Sequence, residues 1–331
     1  MGISRRTISA FARKIIRTFV PKTVRTFLRK HIWTPLAELG LPMGRPFDTF
    51  LIRNRSQARL SRFRPRYPFA LERGPAATRL LAADENNRFG HEPELAHLID
   101  LLVADDGVFL DVGANVGYFS IYLATRPKFH GQIHAFEPVG QAFAGLRELV
   151  SALKCEAFIT CHQAAASEAA GTARMQVGTD LGLSSITADA AAGGEVVPTV
   201  ALDSLGLGRV DFMKIDVEGH EAQALRGADA LIRSARPYIF LESWAFAGEP
   251  DKLFEPLRFL TERGYTLYLP AWVQAGEGFF VGIGPSHEMH TLALVPFALS
   301  DRPSFPSNPI NIFACPAGRE VALGEPWSAR S

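Results

Sequence analysis

Cysteine, long apolar runs and internal repeats are scarce or missing in this sequence of 331 residues. It has three cysteines, Cys155, Cys161 and Cys315, an odd number without a metal-binding spacing such as CxxC. We therefore expect reduced, buried thiols in a cytoplasmic protein, with neither a disulfide framework nor a metal site. No stretch approaches the roughly 18 apolar residues that a membrane-spanning helix needs, and no repeat indicates a solenoid.

Acidic side chains are absent from residues 1–35, which hold nine lysines and arginines. The other 296 residues carry 26 basic and 34 acidic side chains, a net charge of −8. Between Ile8 and Val20 apolar residues recur at helical spacing, and Pro21 ends the pattern. This basic amphipathic helix favours either peripheral contact with the inner face of an anionic membrane or docking on its own domain or a dimer partner. The acidic body disfavours nucleic acid as a partner, and the oligomeric state stays open.

Residues 40–80 are rich in arginine and proline and indicate an extended connector. We divide the chain into a basic helical segment with its connector (1–80), a domain (81–320) and a tail (321–331). Within the domain, short apolar runs alternate with segments of helical periodicity, such as 139–153 and 220–235. Fully apolar strands separated by helices predict an α/β fold with a doubly wound, mostly parallel sheet. Residues 172–202 interrupt the alternation and predict short extra strands or a loop near the mouth of the sheet.

The stretch "VFLDVGANVGYFSIYLA" (108–124) indicates a ligand held where a strand turns into a helix. In an open α/β sheet, ligands lie beyond the carboxyl ends of the strands. Gly113 would let the backbone approach the ligand, and Gly117 would let the helix pack tightly. Glu137 ends the next strand, where a carboxylate can accept hydrogen bonds from both hydroxyls of a ribose. These features together predict a nucleoside-containing cofactor.

The phosphate-binding motifs are absent. A dinucleotide fingerprint requires G-x-G-x-x-G, but Asn115 replaces the second glycine and Tyr118 occupies the third position. No Gly-Lys-Ser/Thr sequence follows, which excludes a P-loop. A ligand with a ribose and an amino-acid tail but no phosphate fits better, and S-adenosylmethionine is such a ligand.

The strings "FLDVGANVGYFS", "HAFEP" and "VDFMKIDVEGHEAQALRGA" together resemble the FkbM-type methyltransferase family. "VALDSL" (200–205) and "NIFACP" (311–316) extend the similarity over about residues 90–316. The resemblance implies a class I, Rossmann-like, seven-stranded sheet, S-adenosylmethionine as cofactor, and O-methylation of a hydroxyl on a sugar, glycan, glycolipid or natural product. It also implies these cofactor contacts: Asp111, Gly113, Ala114, Asn115, Gly117, Glu137, Gln163 and Asp216.

Methyl transfer to a hydroxyl benefits from a base that removes the proton as the new bond forms. The candidates lie at the corner between the strand predicted over 210–217 and the following helix, and the catalytic residues we predict are Asp216, Glu218 and His220. Glu221 is expected to support the backbone or cap the helix, and Glu242 is a further candidate. Lys214 is expected to pair with an acid in the core. Carboxylates crowd this corner, yet no spacing in it demands a metal, so none is predicted.

Two other classes of function stay open from the sequence. One is an NAD(P)-dependent oxidoreductase on a Rossmann-type fold, and the other is a catalytically silent module that binds the cofactor. The acceptor pocket is expected to come from residues 172–200 and 272–308, because loops vary most in this architecture. Trp272 and Phe279 in these stretches would either stack on a sugar ring or fill the core.

Overall fold

The computed structural model describes residues 57–62, 91–176, 185–187, 194–243, 250–274, 278–280, 289–304 and 310–326. The amphipathic helix expected near the N-terminus and most of the connector lie outside these residues. None of the helices described is long and apolar enough to cross a membrane. The secondary structure confirms the alternation of strands and helices that the sequence predicts.

Six α-helices and fifteen strands are assigned within the described residues. The helices are α1 (Pro93–Leu102), α2 (Tyr118–Ala124), α3 (Gly140–Ala152), α4 (Glu221–Arg226), α5 (Asp229–Ala235) and α6 (Pro250–Glu262). The strands are β1 (Arg59–Arg62), β2 (Val108–Val112), β3 (Gln132–Phe136), β4 (Ile159–His162), β5 (Ala165–Ala166), β6 (Gly171–Gln176), β7 (Ser185–Thr187), β8 (Glu195–Val200), β9 (Phe212–Ile215), β10 (Tyr238–Ser243), β11 (Tyr265–Gln274), β12 (Gly278–Phe280), β13 (Met289–Phe297), β14 (Ile310–Pro316) and β15 (Glu325–Pro326).

The main sheet is α/β and Rossmann-like, as predicted, but it is larger than the seven strands expected. The described residues give it eleven strands, in the order β15-β1-β13-β11-β14-β10-β9-β2-β3-β4, with β12 on β11. The run β4-β3-β2-β9-β10 is parallel throughout. The chain order reverses at β2, because β3 and β4 lie on one side of it and β9 and β10 on the other. This is the switch point at which ligands bind in doubly wound sheets.

Beyond β10 the sheet is antiparallel, which the expectation of a mostly parallel sheet did not include. Strand β14 is inserted between β10 and β11 and runs opposite to both. Strand β1, from the predicted connector, pairs with β13, and β15, from the predicted tail, pairs with β1. The sheet thus extends past the boundaries at residues 81 and 320. The sequence of β1, "RLSR", has one apolar side chain and therefore gives little signal for a strand.

A second sheet, in the order β5-β8-β6-β7, occupies the region 172–202 where extra strands were expected. Met175 and Val197 of this small sheet pack with Val139 and Ala142 at the start of α3. The small sheet is therefore fixed against the helix that follows β3.

The single helix predicted over 220–235 is two helices, α4 and α5. A Cβ on Gly227 would lie 1.9 Å from the carbonyl oxygen of Ser167, so the chain passes too closely there for a side chain. Both carboxylate oxygens of Asp203 accept hydrogen bonds at the start of α5, from Ala230 N (3.0 Å) and Leu231 N (2.8 Å). Because this cap comes from a distant residue, the local periodicity could not reveal it.

Candidate active site

The candidate site lies at the carboxyl ends of the parallel strands, on both sides of the switch point. The 113–117 loop follows β2, Glu137 follows β3, Gln163 follows β4, and Asp216 follows β9. All of these were predicted from the sequence, and the strand order brings them to one edge of the sheet.

The 113–117 loop is tied to the neighbouring strand by its backbone. The amides of Gly113 and Ala114 both donate to the carbonyl of Phe136, at 3.0 and 2.9 Å. Gly113 has φ 78°, and a Cβ there would come 1.9 Å from the carbonyl oxygen of Asp216. The close approach of the backbone after β9 therefore requires a glycine here, and the expected approach of a ligand to this backbone stays a prediction.

Gly117 also has a left-handed conformation, with φ 86°. A Cβ at this position would lie 2.3 Å from Cδ1 of Leu146 on α3. The tight packing expected at Gly117 is therefore a contact with α3, and it fixes where α2 begins.

Glu137 is a buried carboxylate that binds the loop with one oxygen and the start of α3 with the other. Its Oε2 accepts from Asn115 N at 2.8 Å and its Oε1 from Val139 N at 2.9 Å. Burial raises the pKa of Glu137 to about 6, and these hydrogen bonds oppose the shift. Each carboxylate oxygen has a further lone pair, so Glu137 can hold the loop and still accept from a ligand.

Asn115 adopts the left-handed φ of 51°, which asparagine tolerates better than most residues. Its side-chain Oδ1 is buried and has no hydrogen-bond partner among the described residues. A buried unpaired acceptor is costly, and one in the loop that Glu137 binds fits a site that a ligand completes.

Asp111 is fully buried and supports the loop from beneath. Its Oδ2 accepts from both the amide (3.2 Å) and the hydroxyl (2.6 Å) of Ser120. Its Oδ1 lies 3.6 Å from Nζ of Lys214, the residue opposite Asp111 in the β2–β9 register. Because it is buried, Asp111 holds the loop in place, and its expected role as a cofactor contact stays a prediction.

Lys214 is the buried cation expected to pair with an acid, and the structure confirms the pairing. Its Nζ donates to the carbonyl of Gly113 at 2.6 Å and lies 3.4 Å from Oδ2 of Asp216. Burial by itself lowers the pKa of Lys214, but Asp216, Asp111 and Glu92 outweigh it and raise the pKa above its usual value. Lys214 therefore links the 113–117 loop to the end of β9.

Three acids form a carboxylate cluster (Asp216, Glu218 and Glu242), with one oxygen of each within 4.8 Å of the others. Glu218 has a left-handed φ of 50°, an uncommon conformation for a residue other than glycine. Burial raises its pKa to about 7, Asp216 and Glu221 add to the shift, and Lys214 opposes it. Such a cluster can share a proton, and its oxygen ligands would also suit a divalent cation.

His220 and Glu221 support the corner after the cluster. The ring Nε2 of His220 lies 3.0 Å from the hydroxyl of Ser167, and burial and then Arg226 lower its pKa. Glu221 accepts from the amide of Gly219 at 2.9 Å, which confirms that it supports the backbone.

Residues outside the predicted set complete one wall of the site. Asn311 Nδ2 on β14 donates to Glu92 Oε1 at 2.7 Å and to Glu94 Oε1 at 3.4 Å. Burial raises the pKa of Glu92, and Asp216 adds to the shift while Lys214 opposes it. Burial and then Glu92 raise the pKa of Glu94 to about 7. In the sequence, two acids around a proline indicate only the start of a helix, so no signal marked them.

Gln163 and a third unpredicted acid, Glu195, lie at the far side of the site. The amide of Gly140 donates to Oε1 and Oε2 of Glu195, at 3.1 and 3.3 Å. A Cβ on Gly140 would lie 3.0 Å from Glu195 Oε1 and 3.5 Å from Gln163 Nε2. Trp272, a candidate for stacking on a sugar, is buried and belongs to the core.

Comparison with protein families matches residues 111–267 to the methyltransferase FkbM domain. The matched segment begins at Asp111 and includes Glu137, Lys214 and the carboxylate cluster. Among curated proteins, the methyltransferase sdnD of Sordaria araneosa is 28% identical over 192 residues, which make up 46% of this chain and 72% of that protein.

Two solved structures are among those that match this chain. A methyltransferase FkbM from Methylobacillus flagellatus has a TM-score of 0.39 and 18% identity, covering 67% of this chain and 55% of that one. The match thus spans about half the length of that relative. An O-methyltransferase from Bacillus cereus in complex with SAH has a TM-score of 0.34 and 12% identity, covering 86% of this chain and 97% of that one.

The strand order and the matched site together define a class I, Rossmann-like methyltransferase. Residues 111–267 match the methyltransferase FkbM domain, and S-adenosylmethionine is the cofactor that this family uses. The site residues fit that cofactor, because Glu137 has free lone pairs, Asn115 Oδ1 is buried without a partner, and the chain lacks a phosphate-binding motif.

Proposed function

We propose that this protein transfers a methyl group from S-adenosylmethionine to a hydroxyl of a sugar, a glycan or glycolipid, or a natural product. The observation that carries the proposal is the carboxylate cluster, in which Glu218 has a pKa of about 7 and Asp216 is paired with Lys214. The cluster lies two strands from Glu137 across the switch point. A base with a pKa near neutrality is suited to taking a proton from a hydroxyl.

Glu137 and the 113–117 loop hold the nucleoside, with Asn115 and Ala114 supplying backbone and side-chain contacts. Asp216, about one third exposed, faces the amino-acid part, and Lys214 fixes its orientation. We assign to His220 the role of positioning the corner after the carboxylate cluster, because the hydroxyl of Ser167 already binds its ring. Glu92 and Glu94 form the wall on which the acceptor lies.

S-adenosylmethionine bound there would supply a methyl group on a sulfonium, and transfer to the acceptor oxygen would form the carbon–oxygen bond as the carbon–sulfur bond breaks toward sulfur. Glu218 takes the hydroxyl proton as the oxygen attacks. The remaining task of the protein is alignment, since a well-oriented displacement gains most of its rate from proximity.

The activity test uses methyl-labelled S-adenosylmethionine with a panel of cell-envelope glycans, glycolipids and small alcohols. On an acceptor that is methylated, we expect the rate to rise with pH through about 7, because Glu218 must be ionised to act as the base. Glu218→Gln is expected to lower the rate by about 10²- to 10⁴-fold and to remove this rise, with affinity for S-adenosylhomocysteine unchanged.

Glu156→Gln, an exposed acid after α3, is the matched control and should behave as wild type. A Glu218→Gln variant that keeps the wild-type pH profile would contradict the assignment of the base. Cofactor binding without turnover on any hydroxyl would favour the silent module instead. Loss of activity in EDTA, restored by Mg²⁺, would assign the cluster to a cation.

We also propose that the protein is cytoplasmic and that residues 1–35 contact the inner face of the membrane, where a lipid-linked glycan would be the acceptor. The support is the run of nine basic residues without an acid beside an apolar stripe. Full-length protein should co-sediment with vesicles containing anionic lipid, and deletion of residues 1–35 should abolish this. Equal sedimentation of the two proteins would instead indicate docking within the protein.

A further inference from the structure

Glu195, the first residue of β8, places a carboxylate beside the proposed cofactor site. Both of its oxygens accept from the amide of Gly140, at 3.1 and 3.3 Å. The structure shows no other hydrogen bond to it from the described residues, so lone pairs on both oxygens are free for a ligand.

Packing holds this carboxylate in place. Glu195 is opposite Met175 in the β6–β8 register, and Met175 and Val197 are buried against Val139 and Ala142. Val139 in turn donates to Glu137. The small sheet, Glu195 and the nucleoside-binding acid are therefore parts of one packed unit.

A gap next to Gly140 separates Glu195 from Gln163. Oε1 of Glu195 and Nε2 of Gln163 lie 3.0 and 3.5 Å from the point that a Cβ on Gly140 would occupy. Gly140 is absent from the residues with positive φ, so its backbone conformation does not require glycine. The missing side chain keeps open a space between two polar groups.

The strand order decides which part of the cofactor reaches this space. Glu137 ends β3, between β4 with Gln163 on one side and β2 and β9 with Asp216 on the other. Neighbouring strands are about 4.8 Å apart, so a ligand anchored by its ribose at Glu137 extends in both directions. Its sulfonium must lie toward the carboxylate cluster, and its base therefore extends toward Gln163 and Glu195.

We propose that Glu195 is a specificity-determining residue that selects adenine by accepting a hydrogen bond from the exocyclic amine. This inference rests on the proposed cofactor site. A carboxylate only accepts, so it favours the amine of adenine over the carbonyl that hypoxanthine carries at the same position. The amide of Gln163 both donates and accepts and could serve either base, so the discrimination depends on Glu195.

The test compares binding of S-adenosylhomocysteine and S-inosylhomocysteine by isothermal titration calorimetry. Wild type should prefer the adenine compound by about 10- to 100-fold, the range expected of a hydrogen bond to a charged group. In Glu195→Gln, Oε1 can still accept from Gly140 while the amide donates to the hypoxanthine carbonyl. We therefore expect this variant to lose affinity for the adenine compound, gain it for the inosine compound, and reduce the preference at least tenfold.

Glu148→Gln, which removes the same charge from an exposed position on α3, should keep the wild-type preference. If Glu195 only capped α3, its substitution would lower the melting temperature and weaken both ligands equally. An unchanged ratio in Glu195→Gln, with the adenine compound bound by wild type, overturns this inference alone. Failure of wild type to bind the adenine compound overturns the cofactor site and this inference together.

Discussion

Lys214→Met is expected to lower the free energy of unfolding by about 3–5 kcal/mol, the cost of removing one partner from a buried ion pair. Lys214 and Asp111 have side chains only 5% and 1% exposed. Without the lysine, Asp111 is a buried charge that Ser120 alone binds, and the carbonyl of Gly113 loses its donor. Urea denaturation followed by circular dichroism measures the change.

The double variant Asp111→Asn/Lys214→Met is the control, because it removes the uncompensated charge as well. It should recover a large part of the stability lost in Lys214→Met, since uncharged groups cost less to bury. A loss of less than about 1 kcal/mol in Lys214→Met, a value typical of exposed ion pairs, would contradict the buried arrangement.

Glu137→Ala is expected to weaken binding of S-adenosylhomocysteine by about 10²- to 10³-fold, because two hydrogen bonds from ribose hydroxyls to a carboxylate are lost. Because the pKa of Glu137 is about 6, the affinity of wild type should also rise with pH through this value, as Glu137 ionises. Calorimetric titration of wild type and variant across pH 5 to 8 measures both effects.

The alanine variant also leaves the amides of Asn115 and Val139 without their acceptor, which could shift the loop. Glu137→Gln has the same shape and therefore separates loss of charge from loss of structure. Near-wild-type melting with a large loss of affinity in this variant supports the ribose contact. Affinity within threefold of wild type in both variants would refute it.

Features that depend on local chemistry were predictable from the sequence. The apolar strand before Asp111, the glycines after it and the acid at the end of the next strand predict a nucleoside site without reference to other segments. Lys214 in an apolar strand predicts a buried partner, which Asp111 and Asp216 provide. The resemblance to a methyltransferase family added the identity of the cofactor, and the match over residues 111–267 confirms it.

Features that depend on contacts between distant segments were not predictable. Asn311 binds Glu92 and Glu94 across more than 200 residues of sequence. Glu195, on the second sheet, binds the amide of Gly140 at the start of α3. Gly113 looked like a ligand contact, but the clash that makes it necessary is with the backbone of Asp216. Composition and periodicity give no distance between such segments.

The sequence by itself determined the alternation of strands and helices, the glycine-containing turn after β2 and the acids that end the strands, because spacing and turn chemistry act over a few residues. Only the tertiary structure decided which acids lie together at the edge of the sheet and which are buried supports. Burial, charge pairing and the space left between side chains arise when strands distant in sequence become neighbours in the sheet.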